Sequence, residues 1–176
     1  MVITLIGYRG SGKSTVARLL ATALNLSWID SDDVVEERAG RSIREIFAED
    51  GEGEFRRLEQ SVIHEMSSQE SLVIATGGGT ILAEENRRCM KAAGPVVWLQ
   101  ASVANLAERI QQDETTGDRR PSLSGQSVAE EVESVLASRL TQYQDAATLV
   151  VKTDGLSLQQ VADEICRQLL ATGESL

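Results

Sequence analysis

The residues with the clearest chemistry form the run Gly7-Tyr8-Arg9-Gly10-Ser11-Gly12-Lys13-Ser14-Thr15. It meets every position of the G-x-x-x-x-G-K-[ST] phosphate-binding pattern. Glycines at 7, 10 and 12 let the backbone turn tightly and aim successive N–H groups at phosphate oxygens. Lys13 adds a point charge, and Ser14 a hydroxyl suited to Mg²⁺. A nucleoside triphosphate is the expected ligand, cradled by Gly10, Ser11, Gly12, Lys13, Ser14 and Thr15. Tyr8 and Arg9 occupy variable positions for which the pattern gives no role.

Carboxylates come next, in Trp28-Ile29-Asp30-Ser31-Asp32-Asp33. Asp30 and Asp32 are alternate residues at a strand end and point the same way, so one is expected to hold a metal-bound water and the other to meet an acceptor hydroxyl. The competing reading is that Ser31 or Asp33 only caps the following helix. Further on, Ala75-Thr76-Gly77-Gly78-Gly79-Thr80 carries no acidic residue where phosphate-loop hydrolases commonly place a metal ligand. The metal role then passes to Asp30 or Asp32. Gly77, Gly78 and Gly79 leave a floor without side chains against which a substrate can lie. Phe47, Phe55, Arg56 and Arg57 cluster between these motifs, either as core and surface residues or as an anion-binding wall. The single histidine, His64, has no partner for a metal, so a base must come from the carboxylates.

These side chains need a scaffold that brings loops together. Short apolar runs at Val2 to Ile6, Ser27 to Ile29, Leu72 to Ala75, Val96 to Leu99 and Leu149 to Val151 read as strands. Helical periodicity covers about 13–24, 33–39, 43–48, 54–67, 83–92, 103–111, 128–146 and 158–170. Strand and helix alternate, which predicts an α/β fold: a doubly wound, three-layer α/β/α domain on a five-stranded parallel sheet. In such a sheet the carboxyl ends of the strands share one crevice, so the motifs converge there. One domain over 1–176 is expected. Residues 111–126 are polar, contain Arg119-Arg120-Pro121, and read as a mobile lid that keeps water from the transferred phosphate.

The chain has 176 residues, a net charge of −10 and no apolar run near the 18 or so residues that cross a bilayer. Its N-terminal stretch does not read as a secretion signal, and a cytoplasmic protein without nucleic-acid or membrane partners is expected. With that charge, an anionic substrate must be held by local arginines. Cys89 and Cys166 show no metal-ligand spacing and are expected to be buried thiols.

Taken in order, these motifs resemble the shikimate kinase family almost end to end. The resemblance rests on Gly7 to Thr15, Asp30-Ser31-Asp32, Ile46-Phe47 with Gly51-Glu52, Phe55-Arg56-Arg57-Leu58-Glu59, Gly77-Gly78-Gly79, Arg120-Pro121, and Arg139-x-x-x-Tyr143-x-x-x-Ala147. It implies a P-loop kinase fold in which a helical segment at about 31–66 binds substrate. It implies an ATP- and Mg²⁺-dependent enzyme that phosphorylates the 3-hydroxyl of shikimate, and a monomer. Arg56 and Arg139 are implied to grip the substrate carboxylate, bidentately as guanidinium forks allow. Asp32 is implied to act as base, and Gly77, Gly78 and Gly79 to line the substrate. Ser14 is implied to bind the metal directly, with Asp30 in its outer shell. Phe47, Phe55 and Glu59 are implied to shape the pocket. Lys13 and Arg120 are implied to neutralise the transferred phosphoryl group, with Thr153 and Asp154 beside the base. In two places the chain departs from the family. Residues 111–114 offer no arginine for the adenine, leaving Arg109 or Arg119, and the lid reads Arg120-Pro121-Ser122-Leu123 where a more apolar run is usual. A kinase for another small hydroxy acid such as gluconate, a nucleoside monophosphate kinase and a non-catalytic nucleotide-binding regulator are the competing readings.

Overall fold

The computed structural model describes residues 1–112 and 127–171. In chain order its elements are β1 (Val2–Ile6), α1 (Lys13–Leu24), β2 (Ser27–Asp30), α2 (Ser31–Ala39), α3 (Ile43–Glu49), α4 (Gly51–Ser67), β3 (Leu72–Ala75), a 3₁₀ turn (Thr80–Leu82), α5 (Glu84–Ala93), β4 (Val96–Gln100), α6 (Val103–Gln112), α7 (Val128–Ala146), β5 (Leu149–Lys152) and α8 (Leu158–Ala171). The five strands form one parallel sheet in the order β2-β3-β1-β4-β5. From β1 the chain crosses to β2 at one edge, returns to β3 beside β1, and then passes to β4 and β5 on the other side, and this reversal of direction opens a crevice at the carboxyl edge.

Strand alternation divides the core between two helical layers. Ile3 and Leu5 of β1, with Val73, Val97, Leu99 and Val151, pack under α1 and α8 through Val16, Leu20, Val161, Ile165 and Leu169. Val2, Leu72 and Ile74 face α2, α3 and α4 through Val35, Ile46, Phe55, Val62 and Met66. Farther along that face, Ile6, Val96 and Trp98 meet Ile63, Met90, Tyr143 and Ala146. The predicted three-layer α/β/α sandwich is therefore present. β1, β3 and most of β4 are buried on both faces, whereas β2 and β5 are edges, with Trp28 and Val150 exposed.

Three expectations need correction. Helix α2 begins at Ser31 instead of Asp33, because Asp30 caps it, its carboxylate accepting the Asp32 N–H at 3.0 Å. Asp30 and Asp32 are thus not alternate residues of one strand: the first ends β2 and the second lies in the opening turn of α2. Helix α4 begins at Gly51 instead of Glu54. Asp50 closes α3 and opens α4, so the low helix propensity of Gly51 and Gly53 yields to the burial of Phe55, Val62, Ile63 and Met66 along the helix. Finally, Cys89 and Cys166 are half-buried, not buried.

Candidate active site

β1 delivers the phosphate loop to the crevice. Gly10 and Gly12 hold φ angles of 78° and 86°, left-handed conformations that strain any side chain. Helix α1 starts at Lys13 with Gly12 as its cap and no side-chain cap bond, so its positive end faces the loop. The Lys13 Nζ donates to the Tyr8 carbonyl at 2.9 Å and to the Ser11 Oγ at 3.4 Å, folding the ammonium over the loop. Ser11 is itself buried.

The other end of α2's cap reaches the same place. The Ser14 hydroxyl donates to the second oxygen of Asp30 at 2.6 Å. One carboxylate therefore ties β2 to the phosphate loop and fixes the backbone of Asp32 next to it. Among the described residues no group of three or more His, Cys, Asp or Glu side chains converges. A hydroxyl beside one carboxylate nevertheless fits Mg²⁺, which keeps several waters and takes its remaining oxygens from nucleotide phosphates.

The facing wall of the crevice is built on the three glycines after β3. The Gly77 N–H donates to Ser31 Oγ at 3.3 Å, which spends that serine on the floor. The Gly78 carbonyl accepts from Arg139 Nη1 at 3.1 Å and from the Tyr143 hydroxyl at 3.0 Å, joining α7 to the floor. A side chain at Gly79 would place its Cβ 2.7 Å from Arg56 Nη2, so glycine is what lets the guanidinium lie there. Arg56 in turn donates to Glu59 at 2.9 Å and to Glu52 at 3.0 and 3.2 Å, with its charge over the Phe55 ring. Burial disfavours the Arg56 charge, but Glu59 and Glu52 more than offset this and hold it above its ordinary value. Glu59 is fully buried and also accepts from Thr80 at 2.7 Å. Phe47 packs on Phe55 with ring centroids 4.9 Å apart and the planes tilted by 37°, while remaining 38% exposed.

The proposed base-side residues occupy the loop after β5. Thr153 is buried with its hydroxyl on the Gln100 carbonyl, and Asp154 accepts from Ser102 and Asn105 at the start of α6. Both side chains thus shape the loop. This loop leads into α8, whose Leu158 abuts Gly12. Arg109 reaches the Gly10 carbonyl at 3.5 Å. Arg119, Arg120 and the rest of the expected lid from 113 onward lie outside the described residues.

Sequence reasoning missed several contacts. Tyr8 is buried, and Arg9 pairs with Glu131 of α7 at 2.7 Å. Arg87 donates to the carbonyls of Ile81 and Leu82 and pairs with Asp145, bracing the turn beyond the floor against α7. No local signal announces pairs separated by 122 and 58 positions. The R-x-x-x-Y spacing did mark Tyr143, one turn from Arg139 on the same face.

A glycine-rich loop at a helix N-terminus, a hydroxyl–carboxylate pair beside it and an arginine-lined floor across the crevice define a P-loop kinase acting on a small acceptor. Comparison with known proteins specifies the kind. A family model described as Shikimate kinase matches residues 9–170. The shikimate kinase of Rhodopirellula baltica is 46% identical, over 93% of this chain and 87% of its own length. That of Symbiobacterium thermophilum is 41% identical over 99% of both. The structure of shikimate kinase from Acinetobacter baumannii in complex with shikimate superposes with a TM-score of 0.91 at 33% identity, covering 99% of this chain and 95% of that one. The chain belongs to the shikimate kinase family.

Proposed function

We propose that this chain transfers the γ-phosphoryl group of ATP to the 3-hydroxyl of shikimate, giving shikimate 3-phosphate and ADP. The observation that carries this reading is the pair of arginines on adjacent floor residues, Arg56 against Gly79 and Arg139 on the Gly78 carbonyl. Two guanidinium groups on one glycine floor suit a carboxylate, and the Ser14–Asp30 contact beside the glycine-rich loop suits the phosphates and their metal. Ser14, directly, and Asp30, from the outer shell, would hold Mg²⁺, which would neutralise phosphate charge when bound. Asp32, set beside Asp30 by its own N–H, takes the proton of the attacking hydroxyl as the new O–P bond forms and the bond to ADP breaks. Lys13 and Arg120 balance the charge of the moving group, and Gly77, Gly78 and Gly79 keep the ring close. Thr153 and Asp154 support the loop that borders the adenine.

The enzyme acts as a single-domain monomer in the cytoplasm. No helix among the described residues is long and apolar enough to cross a membrane. Gluconate also carries a carboxylate, and what favours shikimate over it is the Phe47–Phe55 pair beside Arg56, which suits a ring; a non-catalytic regulator would not need Lys13, Ser14 and Asp32 together. A coupled ADP-release assay with shikimate, gluconate and nucleoside monophosphates tests this. Shikimate-dependent release is expected, and its absence overturns the proposal.

A further inference from the structure

Arg9 fills a variable position of the phosphate loop, yet its side chain is only 17% exposed and meets Glu131, 18% exposed, at 2.7 Å. Glu131 lies in the first turn of α7, and Arg139 lies two turns farther along the same helix, about 12 Å away at 1.5 Å per residue. Arg139 and Tyr143 hold the Gly78 carbonyl, and Gly78 itself packs against the backbone of Gly7, Tyr8 and Arg9, with its Cβ direction 3.5 Å from the Arg9 nitrogen. Tyr8 is buried among Leu106 and Val132, which joins the loop to α6 and α7 by packing as well. Burial raises the Tyr8 phenol above its ordinary value. Arg9, Glu131 and Arg139 also act on it, so all four polar groups lie within electrostatic range. The contacts close a circuit: phosphate loop to Glu131, along α7 to Arg139, through Gly78 and back to the loop.

We propose that the Arg9–Glu131 ion pair is a positioning clamp that fixes α7, and with it the acceptor-gripping Arg139, at a set distance from the phosphate loop and Lys13. This rests on the assignment of Arg139 to the acceptor. Neither residue touches a reacting atom. Their contribution is to orientation, where a misplacement of 1 Å costs up to about a hundredfold in rate. A clamp of this kind acts on the chemical step more than on either substrate's affinity.

The test is a kinetic cycle on the full chain, with Arg9→Gln, Glu131→Gln and the double variant, after shikimate-dependent turnover of the unaltered protein is established. Each single change is expected to lower kcat about tenfold while both KM values stay within about threefold, and the double variant should be no slower than the worse single. In an Arg139→Ala background the Glu131→Gln change should cost less than twofold, because the clamp then has nothing to position. Singles whose kcat stays within twofold, losses that multiply in the double variant, or an undiminished penalty in Arg139→Ala would each overturn the proposal. Lack of turnover by the unaltered protein would instead sink the functional reading itself.

Discussion

At the scale of single residues, the proposed acceptor side is governed by one buried charge. Glu59 has no exposure, and its cation is Arg56. Removing that cation strands a carboxylate in the core, so Arg56→Ala is expected to cost about 3 kcal/mol of stability, roughly 8 °C in Tm. Adding Glu59→Gln, which keeps an acceptor for Thr80, should recover part of the loss in a thermal melt. The Gly79→Ala change tests the same contact from the other side: its Cβ meets Arg56 Nη2 at 2.7 Å, so kcat/KM for shikimate should fall at least tenfold while KM for ATP changes little. Arg139→Ala should likewise raise KM for shikimate far more than that for ATP, and an equal rise in both would assign Arg139 to the nucleotide. The identities of Arg56, Gly79 and Arg139 were legible because their motifs have fixed spacing. Glu59's partnership with Thr80 was not, because the two stand 21 positions apart and no periodicity links them.

Elements carry the next level of control through their ends. Asp30 joins β2 to α2, caps the helix and meets Ser14, while Asp154 plays a comparable part for α6 from 52 positions away. The Ser102 N–H, followed by the Asn105 amide, holds the Asp154 carboxyl below its ordinary 3.8. Because the folded value is the lower one, the contribution to stability is present above pH 3.8 and is lost as pH falls through the folded value. The Tm difference between the unaltered chain and Asp154→Asn should therefore be measurable at pH 7 and shrink in strong acid. Sequence periodicity set most helices within a residue or two, since a buried stripe such as Val16, Leu20 and Ala21 of α1 shows in the pattern. Starts were harder: capping preference pointed to Ser31 or Asp33, whereas Asp30 both ends β2 and caps α2 through the Asp32 N–H.

For the molecule as a whole, the five-stranded parallel sheet and its two helical layers followed from alternation of short apolar runs and amphipathic helices, and the crevice from the parallel connections, whereas the order β2-β3-β1-β4-β5 came only with the structure. What alternation does not encode is cross-layer pairing such as Arg9 with Glu131 or Arg87 with Asp145, which depends on how α7 lies against the sheet. Since the two layers share every central strand, the chain should unfold in urea as one cooperative unit. Trp28 on the β2 edge and Trp98 on β4 sample different parts of the sheet. With Trp28→Phe used to isolate the second signal, both fluorescence transitions should coincide with loss of helical circular dichroism. Separated midpoints would divide the chain into more than one folding unit.

The central place of β1 also has a consequence for synthesis. Val2–Ile6 is wholly buried and leaves the ribosome before any strand it pairs with, its neighbours being β3 from Leu72 and β4 from Val96. A nascent chain stalled before residue 72 presents both hydrogen-bonding edges of an apolar strand, and one stalled before residue 96 still presents one. The segment that later carries the phosphate loop is thus the one most in need of shelter while the protein is being made.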